Sequence, residues 1–279
     1  MSSAAVPIEQ RWPRPAVLGV VNVTPDSFSD GGRFSSPAEA IAHAKRLLAE
    51  GAALVDIGGE STRPGAEPVG VEEELRRVLP ILEGLRGLPV SIDTSKAEVA
   101  RAALEQGAEL VNDVTALRGD PEMGAVVAEY GAYVCLMHML GEPRTMQVTP
   151  QYDDVVAEVF AFLEERLALA VGCGIAEERI CVDPGIGFGK TPDQNLELVR
   201  RLDTFALLGR PVVVGLSRKS TLGKVVGDSA ATQGTTAASV GAAVVAFERG
   251  AWMVRAHDVR ETVEALAVAA AVERGKVGV

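Results

Sequence analysis

The stretch VLGVVNVTPDSFSDGG, residues 17–32, begins as a buried strand and stops behaving like one at Asn22. Val17-Leu18-Gly19-Val20-Val21 is a short continuous apolar run, the mark of a strand covered on both faces. After Asn22 comes a loop of hydroxyls, carboxylates and glycines with Phe28 in its middle. A single junction of this kind is compatible with a plain turn. Its meaning depends on whether other strands end in the same way.

Apolar runs of strand length recur at 54–58, 89–93, 110–113, 133–137, 180–183, 212–216 and 252–256, besides 17–23. Between them lie segments with apolar residues three and four apart, or with helical composition, at 37–50, 71–85, 96–106, 121–130, 152–171, 193–202, 235–249 and 259–274. Ala40, Ile41, Ala44, Leu47 and Leu48 share one face of the first; Leu75, Val78, Leu79 and Leu82 share one face of the second. Strands alternating with helices and no linker between them specify one parallel α/β domain. An open doubly wound sheet is one solution. A single (β/α)8 TIM barrel, with its active site at the C-terminal ends of the strands, fits the count and the 279-residue length better. Residues 1–15 read as a short arm, and 16–279 as the barrel.

Composition narrows the function classes. The chain is 47% hydrophobic but only 4% aromatic, so small apolar residues supply the close helix-on-sheet packing. A formal charge of −11 excludes broad nucleic-acid binding, which needs basic surface. No apolar run approaches the ~18 uncharged residues of a membrane span, and MSSAAVPIEQRWPRP lacks the apolar core of a secretory signal. Cys135, Cys173 and Cys181 match neither a disulfide framework nor a metal motif, and read as reduced thiols of a cytoplasmic protein.

Every predicted strand delivers a polar group to the same rim. The first ends in Asn22, and the second leads into GGESTRPGA with Glu60, Thr62 and Arg63. The third ends at Asp93 in SIDTSK, the fourth at Asn112-Asp113, the fifth at Met137-His138. Asp183 closes the sixth and precedes PGIGFGKT; Ser217-Arg218-Lys219-Ser220 follows the seventh, and Arg255-Ala256-His257 the eighth. Each has a duller explanation alone, since Asp and Asn cap helices and glycines turn chains. Eight such clusters at one end point to a site. His43, inside a helix, reads as packed or solvated, His138 as intermediate, and His257 beside Arg255 as the anion-binding candidate. GIGFGKT is not a P-loop, because the first glycine of that pattern would fall on Pro184. No HExxH, CxxC or GxSxG pattern is present.

Taken in order, NVTPDSFSDGG, GGESTRPGA, SIDTSK, VNDVT, LMHM, DPGIGFGKT, GLSRKS and RAHDV resemble the dihydropteroate synthase family, the pterin-binding folate-pathway enzymes targeted by sulfonamides. The resemblance spans residues 17–274. It implies transfer of a (7,8-dihydropterin-6-yl)methyl group from its diphosphate to 4-aminobenzoate, a (β/α)8 barrel, Mg2+ and a homodimer. Carried over motif by motif, Asp93, Asn112, Met137, Asp183 and Lys219 surround the pterin. Asn22, Arg255 and His257 hold the diphosphate, with Mg2+ at Asn22. Phe28, Thr62, Arg63, Pro64, Phe188 and Ser220 surround the aminobenzoate. Asp93, Lys219, Arg255 and His257 carry the catalysis.

The chemistry of these side chains agrees with those expectations. A pterin's amino group and ring N–H form a donor edge that a carboxylate such as Asp183 accepts in paired fashion, while an Asn both donates and accepts. Lys219 suits the ring's acceptors, and Arg255 with His257 supplies local positive charge for an anion on an acidic protein. The helix after Asp258 adds backbone N–H groups. The expected reaction is dissociative: diphosphate departs first, and Asp93 stabilises a pterin-methyl cation. The loops 24–32 and 61–66 read as lids, with Asp30–Arg63 as a latch. A corrinoid-linked methyltransferase would share the pterin carboxylates, and a silent pterin-binding paralogue is the non-enzymatic alternative. The small-residue helix 237–247 suits either a dimer interface or barrel packing.

Overall fold

Side-chain parity along the strands divides the interior in two. The computed structural model describes residues 6–23, 36–62, 65–142 and 144–276. Eight parallel strands, β1 Ala16–Asn22, β2 Leu54–Gly58, β3 Val90–Asp93, β4 Leu110–Asp113, β5 Tyr133–Met137, β6 Ile180–Asp183, β7 Val213–Gly215 and β8 Met253–Ala256, form one sheet. Its order is β6-β5-β4-β3-β2-β1-β8-β7. The remaining seam is bridged where Val182 pairs with Val212 and donates its N–H to Pro211 O at 3.0 Å. The sheet therefore curls into the (β/α)8 barrel.

On each strand one set of alternate residues faces the surrounding helices and the other faces the barrel axis. Val17, Val21, Val55, Ile57, Val111 and Val254 belong to the outer core with the helices. Leu18, Leu54, Leu110, Cys135, Cys181 and Met253 form a second core inside the barrel. Each fully buried aliphatic contributes ~1.5–3 kcal/mol relative to exposure, so both layers hold the strands in register. Continuing the inward set one or two steps up the strands reaches Asn22, Asp56, Asp93, Asn112, Asp183 and Arg255. Parity alone thus carries polar groups to the mouth.

Residues read as an N-terminal arm are built into the barrel. Helix Ile8–Arg11 seats Ile8 and Trp12 in the inner core, with the Trp12 and Tyr133 rings 4.8 Å apart. Trp252 Nε1 donates to Trp12 O at 2.8 Å, and Arg14 donates to Phe247 O and Ala251 O while lying 4.1 Å over the Phe247 ring. These contacts close the end of the barrel opposite the mouth.

The eight expected helices are present, with ends set by caps. The helix read from 152 starts only at Val155, because Asp154 accepts from the N–H groups of Val156 and Ala157. Helix Pro192–Arg200 begins at a capping box of Thr191 and Gln194. Three further pieces among the described residues, Ser220–Val225 and 3-10 stretches at Glu177–Arg179 and Leu202–Leu208, are too short to carry a periodic pattern.

Candidate active site

Asp56, an inward residue in the middle of β2, is the hub of the mouth. Its Oδ2 accepts from Arg255 Nε at 2.6 Å and from Asn112 Nδ2 at 3.0 Å. The other arm of the Arg255 fork reaches Asp93 Oδ2 at 2.8 Å. Residues from β2, β3, β4 and β8 thereby meet on one network, although Arg255 and Asp56 lie 199 positions apart in the chain. The second oxygens, Asp56 Oδ1 and Asp93 Oδ1, are buried without a partner among the described residues. Such atoms are costly unless a ligand or water supplies donors. Arg255 was expected to offer its fork to diphosphate, but here the fork is engaged with two carboxylates. Burial works against its charge, and Asp56 and Asp93 more than restore it. Burial raises the Asp93 carboxyl well above the usual carboxylate range, opposed by Arg255 and reinforced by Asp56.

Asp183 ends β6 across the mouth. Its Oδ1 accepts the Gly185 N–H at 2.7 Å. Burial pushes its carboxyl up to about 6, while that N–H, Lys219, Lys190 and Arg255 pull it down. The loop that follows is folded around Lys190. This side chain is 2% exposed, and its Nζ reaches Gly185 O at 2.9 Å, Phe188 O at 2.9 Å and His138 Nδ1 at 2.9 Å. Burial lowers the ammonium to about 7, against the attraction of Asp183. Burial likewise pushes His138 down to about 2, assisted by Lys190 and Arg118, so its ring is neutral and accepts from Lys190. Gly185 has φ +69, and a Cβ there would lie 1.8 Å from His138 O, so only glycine lets the two loops touch.

Lys219 stands 4.2 Å above the Phe188 ring, which packs with Val114, Met137, Met139 and Met146. A cation and an apolar wall thus face the same space beside Asp183. His257 is tied to Ser217, whose Oγ accepts the His257 N–H at 3.1 Å and lies 3.0 Å from Nδ1. Burial, with Arg255 and Arg218, drives this imidazole down to about 3. Arg218 is bonded to both oxygens of Asp258 ahead of helix Val259–Arg274. Asn22 ends β1 beside Gly58 of β2. A Cβ at position 58 would stand 3.6 Å from Asn22 Oδ1 and 3.7 Å from Asp93 Oδ2.

Of the residues expected in the site, Asn22, Asp93, Asn112, Met137, Asp183, Phe188, Lys219, Arg255 and His257 converge on this mouth. Thr62, half-buried, follows β2, and exposed Ser220 starts the short helix after Lys219. Phe28, Asp30, Arg63 and Pro64, with the latch drawn from them, lie outside the described residues. Sequence reading passed over Asp56, gave Lys190 no role once the phosphate-loop pattern failed, and named Ser217 on the rim without a role. A carboxylate inside the apolar run LVDIG was the available signal for Asp56. For Lys190 the signal was a lysine closing a run of three alternating glycines, Gly185, Gly187 and Gly189, all of positive φ in the folded loop. Among the described residues no three His, Cys, Asp or Glu side chains gather as a metal cluster, and no helix is long and apolar enough to cross a membrane.

Known proteins share this fold and much of this sequence. Residues 18–257 match the pterin binding enzyme family. The dihydropteroate synthase of Escherichia coli K12 is 47% identical over 259 residues, covering 91% of this chain and 90% of its own. That of Synechocystis is 45% identical, covering 94% and 91%. The Xanthomonas albilineans dihydropteroate synthase with 4-aminobenzoic acid superposes with a TM-score of 0.85 at 50% identity, covering 94% of each chain. The same enzyme in complex with 7,8-dihydropteroate gives 0.81 at 47% identity, again covering 94% of each chain. By fold, by mouth and by relatedness along nearly its whole length, the chain belongs to the dihydropteroate synthase family of pterin binding enzymes.

Proposed function

We propose that the chain is a transferase of folate biosynthesis that joins (7,8-dihydropterin-6-yl)methyl diphosphate to 4-aminobenzoate, releasing diphosphate and 7,8-dihydropteroate. The observation that carries this reading is the set of buried acceptors at the floor of the mouth. Asp183 faces the Asn112 and Asp93 network from across the mouth, all three are buried, and Asp93 Oδ1 has no partner among the described residues. A flat heterocycle with an N–H edge satisfies them, where water would do so less completely. In this reading the pterin edge lies on Asp183, Asn112 exchanges hydrogen bonds with its rim, and Lys219 donates to its acceptors. Met137 forms part of the wall.

The diphosphate end then faces Asn22, Arg255 and His257. If Ser217 donates its hydroxyl hydrogen to His257 Nδ1, Nε2 keeps its hydrogen and turns it to a phosphate oxygen. Mg2+ would be held at Asn22, whose amide oxygen is a hard donor of the kind this ion takes alongside phosphate oxygens and water. When bound, it neutralises charge on the departing diphosphate. The chain's own part begins with the C–O bond between the pterin methylene and the diphosphate. As that bond breaks, His257 and the Arg255 N–H groups not engaged by Asp56 and Asp93 hold the leaving oxygens. The electron-poor methylene is flanked by Asp93, whose negative charge favours the cation. The aniline nitrogen, neutral at pH 7, attacks, and its surplus proton passes to solvent or diphosphate.

The aminobenzoate occupies the side of the mouth bounded by Phe188, Thr62 and Ser220, with Phe28, Arg63 and Pro64 as the remaining expected contacts and Asp30–Arg63 as the latch. A homodimer in the cytoplasm completes the proposal. Val245, Val268 and Val272 are 41%, 65% and 75% exposed on the adjacent helices Thr236–Glu248 and Val259–Arg274, and pairing two copies through them removes that apolar surface from water. Sedimentation at micromolar concentration tests the dimer. The reaction is tested by following diphosphate release with Mg2+, with and without 4-aminobenzoate, and dihydropteroate formation alongside it. Tight pterin binding without release under either condition refutes the transferase reading.

A further inference from the structure

We infer that Lys96, which touches neither substrate in this reading, is the positioning residue for the aminobenzoate side of the mouth. The inference rests on the transferase reading above. Lys96 follows Asp93 by three positions in SIDTSK, at the start of helix Ala97–Glu105. Its backbone is fixed locally: the Lys96 N–H donates to Thr94 Oγ1 at 3.2 Å, and the next N–H, of Ala97, to Asp120 Oδ2 at 2.9 Å. Its Nζ then bridges two carboxylates on other elements, Glu60 Oε2 at 2.5 Å and Glu74 Oε2 at 2.6 Å.

Those partners define the root of the loop after β2. Glu60 is its first side chain, and Glu60 Oε1 accepts the Val69 N–H at 2.9 Å, which ties the start of the loop to its end. Glu74 belongs to helix Val71–Gly84, is fully buried, and leaves Oε1 without a partner, so Lys96 is its one cationic neighbour in bonding range among the described residues. Arg77 of the same helix donates to Gly59 O at 2.7 Å. A Cβ on Gly59 would sit 2.8 Å from Val78 Cγ1 and 2.9 Å from Glu74 Cγ, so the root lies flat against the helix.

This geometry has a consequence for the reaction. The segment carrying Thr62 closes on itself through Glu60 and hangs from an ammonium that belongs to the strand end bearing Asp93. Lys96 therefore sets the second substrate's loop relative to the carboxylate beside the first substrate's reacting carbon. A displacement of about 1 Å in such a placement costs as much as ~100-fold in rate. A purely structural ion triad would instead affect both substrates alike, through the fraction folded.

The test is steady-state kinetics of the full-length protein with each substrate varied in turn. Lys96→Met and, independently, Glu60→Ala are compared with Lys96→Arg. Glu60→Ala leaves the buried Lys96–Glu74 pair intact, and so reads the same contact without a stranded charge. The expected result is a KM for 4-aminobenzoate raised about tenfold or more in both variants, with the KM for the pterin diphosphate within about twofold of the parent, and substantial recovery in Lys96→Arg. Equal changes in both KM values, or an unchanged aminobenzoate KM in Glu60→Ala, overturn the inference. Parent protein that releases diphosphate yet never consumes aminobenzoate removes the transferase reading, and the inference with it, before any variant is compared.

Discussion

Asp183→Asn separates the cost of a buried carboxylate from its use. Burial raises the Asp183 carboxyl to about 6, above the ordinary 3.8, even though the Gly185 N–H and three cations oppose the shift. Because the folded value is the higher one, the folded protein holds more protons than the unfolded chain between those two pH values. Stability contributed by this group is then lost as pH rises through that window, by up to about 3 kcal/mol. Asparagine keeps an oxygen for the Gly185 N–H and carries no charge. The variant is therefore expected to melt at a higher temperature than the parent at pH 7.5. Pterin binding should move the other way. A carboxylate accepts two N–H donors from the pterin edge where an amide accepts one, and a charge-assisted bond contributes about 1.5–3 kcal/mol. Affinity at pH 7.5 should fall about 10- to 150-fold. In the parent only the ionised form binds, so affinity should weaken about tenfold for each pH unit below about 6, whereas the variant should be flat there. Isothermal titration with a hydroxymethyl-dihydropterin from pH 4.5 to 8, alongside thermal unfolding, reads both effects. A variant that is less stable, or a parent whose affinity is level across that range, would refute the reasoning.

Other perturbations read other parts of the molecule. Trp12→Ala opens a cavity beside Tyr133 in the inner core and should cost about 3–5 kcal/mol in urea unfolding, with the substrate KM values retained at low temperature. Lys190 has a folded value near 7 against 10.5 for the ordinary side chain, so the unfolded chain binds the extra proton between them. Stability should rise with pH across that window in the parent, and Lys190→Met should abolish the rise in pH-dependent melting. His257, held down to about 3, is neutral at working pH in the free protein. Replacing it by Ala should slow diphosphate release about 10- to 100-fold, while the pH profile of kcat/KM from 5 to 8 keeps its shape in His257→Gln.

How legible was this in the chain? Strand ends and helix faces were, because burial on two faces leaves a continuous apolar run and a polar terminus, and both are local signals. Asn22, Asp93, Asn112 and Asp183 could be picked out on that ground alone. Asp56 was not, since its strand reads as buried throughout and its reason for being polar is Arg255, 199 positions away. Lys190 was left without a reading once GIGFGKT failed as a phosphate loop; only the fold of 185–190 around its ammonium explains it. The first fifteen residues carry a helix of four residues, too short for periodicity, and Trp12 gains its role from Tyr133 and Trp252, which come together only in the closed barrel. Which loop serves which substrate rested on family resemblance, because polarity does not distinguish them.

Ile8 and Trp12 stopper one end of the barrel, with the layer of Leu18, Leu54, Leu110, Cys135 and Cys181 above them. The molecule is in effect a flask with one neck. Two reactants and two products share that neck, and the acceptors proposed for the pterin lie at its base, below Phe188 and the loop rooted at Glu60. A molecule seated at the neck blocks traffic to the base. In the proposed reading the pterin is therefore loaded ahead of its partner, and nothing leaves from beneath an occupied neck. In that reading the finished pteroate withdraws whole before the next pterin enters, because the packed layer above the stopper leaves the reactants no passage through the barrel.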